Sequence, residues 1–121
     1  MTSRQPAANV TPDDVERIVR RDFAPHDVPA ALALVAEYGA DSDERGADRV
    51  RAAALKQARG DLNRLRQQIS WAKMDYRDVL SEAEYPQATR KWGRMQRMTE
   101  AEQQAIYDAD WRQYDEWLKR S

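Results

Sequence analysis

The apolar positions recur at helical intervals along almost the whole chain. Val15, Ile18, Val19 and Phe23 stand at i, i+3, i+4 and i+8, one face of a helix. Thr11-Pro12-Asp13-Asp14 opens that helix. Thr11 can cap, Pro12 suits the first helical position, and two acids meet the positive end of the helix dipole. Pro25 ends it. A second helix is expected over 27–38, with Gly39 as its left-handed exit. Its centre, Ala30-Ala31-Leu32-Ala33-Leu34-Val35-Ala36, is apolar all round, the pattern of a central helix buried on several sides. A third helix over about 44–59 turns Ala47, Val50, Ala54, Leu55 and Ala58 inward. Gly60 breaks it and Asp61 caps a fourth, which carries Leu62, Leu65, Ile69 and Ala72 on one side.

Asp75 is a candidate cap for a fifth helix, in which Tyr76, Val79, Leu80 and Ala83 fall at i, i+3, i+4 and i+7. Pro86 stops that helix at Tyr85, because the residue before a proline avoids the α region. Residues 87–98 are basic and weakly periodic, a short helix or an ordered loop. Thr99 and Glu102 form a capping box ahead of a last helix that reaches about Lys119. Tyr107, Trp111, Tyr114 and Leu118 are its buried stripe. Ile106, Asp110, Gln113 and Trp117 lie on an adjacent, more mixed face. No segment alternates as a strand would. The pattern predicts an all-α fold: a disordered arm over 1–10, then a single bundle of five to seven helices over 11–121 with a long aromatic-rich C-terminal helix.

Composition narrows the function. The 121 residues include no cysteine, which excludes disulfides, thiolate metal sites and a cysteine nucleophile. The longest apolar run, 28–36, is far short of the roughly 20 residues that span a bilayer. The first ten residues hold no apolar stretch of the signal-peptide kind. These features point to the cytoplasm.

Charge is unevenly spread. Residues 1–44 carry 4 basic and 9 acidic side chains, residues 45–97 carry 13 and 6, and residues 98–121 carry 3 and 6. In one reading the acidic ends fold back on the basic middle and the charges interleave. In the other, the third and fourth helices with the 90–97 stretch present a positive patch to nucleic acid or an acidic partner.

Tests for chemistry return little. His26 is the only histidine, and no serine stands in a nucleophile motif. Residues 41–46 begin like a calcium loop, but Arg45 and Ala52 occupy ligand positions, so no metal is expected. No glycine-rich phosphate loop exists, and no cofactor is expected. Asp78 and Glu82 are neighbours at i, i+4, which makes a small carboxylate enzyme the third reading. The third and fourth helices have the length of a helix-turn-helix. Asn63, Arg64 and Gln67 on the fourth, with Arg90, Lys91, Arg94 and Arg97, are the candidates for nucleic acid. The four tryptophans and five tyrosines are the oddest feature. Trp111 reads as core. Trp92, amid cations, and Trp117, off the main stripe, read as interface anchors, since Trp, Tyr and Arg dominate binding hot spots.

The strings Asp75-Tyr76-Arg77-Asp78-Val79-Leu80 and Ala83-Glu84-Tyr85-Pro86, together with the tail from Ala101 to Leu118, resemble a family of small uncharacterised bacterial helical proteins. The resemblance covers about residues 30–121 and implies a bacterial soluble protein without supplying catalytic residues. Arg77, Asp78, Glu82 and Glu84 are read as outward-facing interaction candidates. The leading expectation is therefore a non-enzymatic protein-interaction module, its partner another protein or a second copy. Nucleic-acid binding through 45–97 is the alternative, and no membrane is involved.

Overall fold

The computed structural model describes residues 8–41, 44 and 46–120. They fold into seven helices: α1 Pro12–Asp22, α2 Val28–Ala36, α3 Ala47–Ala58, α4 Leu62–Glu84, α5 Pro86–Arg90, α6 Trp92–Met95 and α7 Glu100–Lys119. The fold is all-α. Thr11 and Asp14 close a capping box on α1, as Thr99 and Glu102 do on α7. Asp61 caps α4 by accepting the Arg64 N–H at 2.9 Å.

Three expectations need correction here. Within the arm expected over 1–10, Ala8 is buried and Val10 packs on the core. Residues 1–7 lie outside the described residues. Helix α2 is buried on one side only. Val28, Ala31, Leu34 and Val35 face inward, while Ala30, Ala33 and Ala36 are exposed. Alanine adds so little apolar area that an all-apolar helix rich in it can lie at the surface. The third helix starts at Ala47, and Glu44 stays outside it. The Glu44 carboxylate instead accepts the backbone N–H of Gly39 at 2.9 Å and of Asp41 at 3.1 Å, and bonds Lys73 at 3.1 Å. Those bonds hold its carboxyl below the usual carboxylate range, the Asp41 N–H contributing most. The acidic loop is thus a clasp on α4, although Ser42, Asp43 and Arg45 lie outside the described residues.

The core is built around α3 and α4, the most extensively paired helices. Ala52, Ala53, Ala54 and Ala58 are buried on α3, and their small side chains let neighbours approach closely. Leu65, Ile69 and Ala72 meet them from the first half of α4, and Val79, Leu80 and Ala83 from the second. A smaller cluster of Tyr85, Ala88, Met95 and Tyr107 joins α5, α6 and α7.

The turn between α3 and α4 demands glycine. Gly60 has φ +77°, and a Cβ there would lie 2.5 Å from the Asp22 carbonyl oxygen. Gly60→Ala combines left-handed strain with a backbone clash and should remove about 2 kcal/mol or more, read by urea denaturation. A loss below about 0.5 kcal/mol would show that this close approach is not a constraint.

Many of the charges serve the ends of helices. Helix termini leave four carbonyls without partners, and cations nearby satisfy them. Here the cations come from other helices. Arg51 of α3 donates to Val35 O and Tyr38 O at 2.9 Å each, closing α2. Lys56 donates to Ala83 O at 2.9 Å, near the end of α4. Arg17 donates to Leu118 O at 2.7 Å and Arg120 O at 2.6 Å, and Arg21 to Trp117 O at 2.8 Å, closing α7. In the opposite sense, the fully buried Asp110 of α7 accepts the N–H groups of Gln87 at 3.2 Å and Ala88 at 2.9 Å in the first turn of α5.

Candidate interaction surface

The site residues expected from the sequence divide into two groups. Glu84 is not outward-facing. It is buried, and Arg49 clamps it with two bonds, Nε to Oε2 at 2.9 Å and Nη2 to Oε1 at 2.7 Å. It sits one helical step from Ala83 on the inward stripe, so the last turn of α4 carries it into the core. Trp117 is not a free anchor either. It is half-buried, stacked on Tyr114 with ring centroids 5.5 Å apart, and covered by the Arg21 guanidinium at 5.1 Å. Trp111, expected as core, is likewise only half-buried. Tyr107, Tyr114 and Leu118 are buried as expected, and Asp110, assigned to the mixed face, is buried with them.

Burial raises the Tyr114 hydroxyl above the ordinary tyrosine range, and Glu84 adds to the effect. Its oxygen is buried with no hydrogen-bond partner. Lys56, partly desolvated beside it, is lowered from the usual lysine range, while Asp110 pulls the other way.

The remaining candidates surround a break in α4. Asp75 has extended backbone, φ −155° and ψ 97°, inside the helix. Its carboxylate accepts the Arg77 N–H at 3.1 Å, capping the second half, and bonds the Arg77 guanidinium at 3.0 and 3.3 Å. This is the fifth-helix cap expected from the sequence. Tyr76, the first residue after the break, keeps its helical spacing to Val79 and Ala83 but stays 37% exposed at the start of that second half instead of joining them in the core.

Around that break lie the exposed large apolar side chains of the described residues: Trp71 at 47% exposure, Met74 at 83%, Tyr76 at 37% and Trp92 at 60%. Three open clefts that overlap at Met74 and Tyr76 link them. Trp71 and Met74 share an open cleft of ≈ 620 Å³ with Val79, Asp78 and Glu82. Met74 and Tyr76 share a second, largely charged one with Glu44, Lys73, Asp75 and Arg77. Tyr76 and Trp92 share a third of ≈ 680 Å³ with Arg49, Arg77 and Leu80. Sequence reasoning passed over Trp71 and Met74. Their signal was negative: each falls two positions after an inward residue, Ile69 and Ala72, on the side the stripe leaves out.

The two ends of this apolar band differ in charge. Asp78 and Glu82, both exposed, flank the Trp71–Met74 end and form no salt bridge among the described residues, though Asp78 acts on the neighbouring Arg77 through space. Beyond the other end Arg90, Arg94 and Arg97 are exposed within five chain positions of Trp92, with Lys91 half-buried, although the cleft Trp92 lines holds Arg49 and Arg77 instead. Arg90 bonds only the Pro86 carbonyl, at 3.3 Å, and none of the four pairs with a described acid.

The basic middle is divided. Arg49, Arg51 and Lys56 of α3 are committed to Glu84 and to helix ends. Asn63, Arg64 and Gln67 are exposed on α4, in a shallow cleft with Arg66, Ser70 and Trp71. That cleft includes none of the 90–97 cations.

Among the described residues no cluster of three or more His, Asp or Glu could hold a metal ion, and no helix is long and apolar enough to cross a membrane. No protein family, curated protein or solved structure matches the chain.

Proposed function

We propose that this chain is a non-enzymatic module that binds another polypeptide through the band running from Trp71 and Met74 across the α4 break to Tyr76 and Trp92. The observation that carries this reading is the run of three overlapping open clefts that those exposed side chains line. Scattered exposed apolar residues are ordinary, but a continuous apolar strip with a polar rim is the usual form of a protein contact. Methionine adapts its shape to a partner and tryptophan anchors it, so both suit such a strip. Asp78 and Glu82 lie open to water on the rim, where they suit charge matching better than proton transfer. Arg77 is held by Asp75 and contributes to the rim between the two ends.

The test is a tagged pull-down from a lysate of the source cell, run with and without nuclease. It compares the natural sequence with Trp71→Ala/Met74→Ala and with Trp92→Ala. Bound protein that resists nuclease and falls at least about tenfold in both variants supports the reading. An identical eluate from all three proteins overturns it. Material lost on nuclease treatment moves the function to nucleic acid, with Arg90, Arg94 and Arg97, close to Trp92 along the chain, as the contact.

A further inference from the structure

We infer that the occupant of this band is a second copy of the same chain, arranged as a two-fold symmetric dimer. The inference rests on the interaction reading above and adds the partner's identity. In a two-fold contact the same patch is used twice: where residue i meets j, residue j meets i. A patch suits that arrangement when its two ends are complementary to each other. This band has that property. One end is apolar with acids that form no salt bridge among the described residues, Trp71 and Met74 beside Asp78 and Glu82. The other is aromatic, Trp92, with the exposed cations Arg90, Arg94 and Arg97 within five positions of it along the chain and in no salt bridge with a described acid. Tyr76 and Arg77, at the break in α4, lie between them and share clefts with both sides.

A two-fold axis through the break would lay the Trp92 end of each copy in the Trp71–Met74–Val79 cleft of the other. The arginines would then face Asp78 and Glu82 twice over. The contact would also relieve two local costs. Asp78 and Glu82 are like charges at i, i+4, a mildly repulsive pair in an isolated helix. The 86–99 segment carries four cations and no acid. Pairing the two ends answers both. An acidic partner would satisfy only the Trp92 end, and a basic one only the Trp71 end.

Sedimentation equilibrium tests this on the full chain up to about 100 µM, a range that detects even weak self-association. The natural sequence should form a dimer and no larger species. Reversing the acidic end in Asp78→Lys/Glu82→Lys, or the basic end in Arg90→Glu/Arg94→Glu, should weaken the dimer at least about tenfold, because like charges then meet twice. Mixing the two variants one to one should restore it, since each presents what the other lacks. All the substituted residues are exposed, and helical circular dichroism checks each fold. A chain that stays monomeric overturns the inference, and the pull-down judges the interaction reading separately. Growth past the dimer overturns the two-fold arrangement, because an open head-to-tail contact does not close. Dimers unaffected by either reversal place the contact elsewhere and overturn it too.

Discussion

Asp110→Ala should remove about 2–4 kcal/mol of stability, more than an ordinary helix-cap loss of about 1 kcal/mol. The carboxylate is fully buried and serves two N–H groups of α5, Gln87 at 3.2 Å and Ala88 at 2.9 Å, through separate oxygens. Alanine leaves both donors without their carboxylate, the Ala88 N–H in a buried position and the Gln87 N–H in a half-buried one. Their desolvation is then uncompensated. It also weakens the junction that seats Tyr85, Ala88, Met95 and Tyr107 as one cluster. Asp110→Asn is the informative companion. Its single carbonyl oxygen serves one donor while its amide N–H₂ opposes the other, so its loss should be intermediate. Urea denaturation followed by tryptophan fluorescence reads both. A loss below about 1 kcal/mol for Asp110→Ala would mean that α5 finds its cap elsewhere.

Arg49→Ala should cost about 3–5 kcal/mol, because it strands the Glu84 carboxylate in the core. The Glu84 side chain is only 2% exposed and the Arg49 side chain 35%, so the glutamate suffers most of the desolvation. The Glu84 carboxylate is also what raises the Arg49 guanidinium above its ordinary range, through their hydrogen bonds. The pair itself is not an efficient source of stability, since two charges leave water to make it. The double variant Arg49→Met/Glu84→Leu should therefore recover most of the loss. Equal losses in the single and double variants would show that the packing of the arginine stem, and not the stranded charge, is what matters.

The Asp110 role was partly legible. Tyr107, Asp110 and Tyr114 stand at i, i+3 and i+7, so the acid shares the inward stripe, and an acid inside an apolar stripe needs a partner. The partner, a backbone end 22 residues away, was not legible. Glu84 was misplaced for a related reason. Its neighbours Val79, Leu80 and Ala83 marked the inward face, but a glutamate beside that stripe is ordinarily solvated, and only Arg49 from α3 makes its burial tolerable. Tyr76 failed differently. Its spacing placed it on the face of Val79 and Ala83, yet it is the first residue after the break, where the helix begins and the core leaves it 37% exposed.

The sequence by itself determined the local elements: the capping boxes at Thr11 and Thr99, the Asp61 and Asp75 caps, the Gly39 and Gly60 exits and the apolar stripes of α1, α4 and α7. These depend on residues within four positions of one another, so they can be read along the chain. Tertiary structure alone decided which charges are structural and which are free. Arg17, Arg21, Arg51 and Lys56 find their carbonyls on other helices, and Glu84 finds Arg49 across 35 positions. It also decided that Trp117 is covered while Trp71, Met74, Tyr76 and Trp92 line overlapping clefts at the surface. A side chain's burial depends on which distant helix packs against it, and helical spacing records only which side of its own helix it occupies.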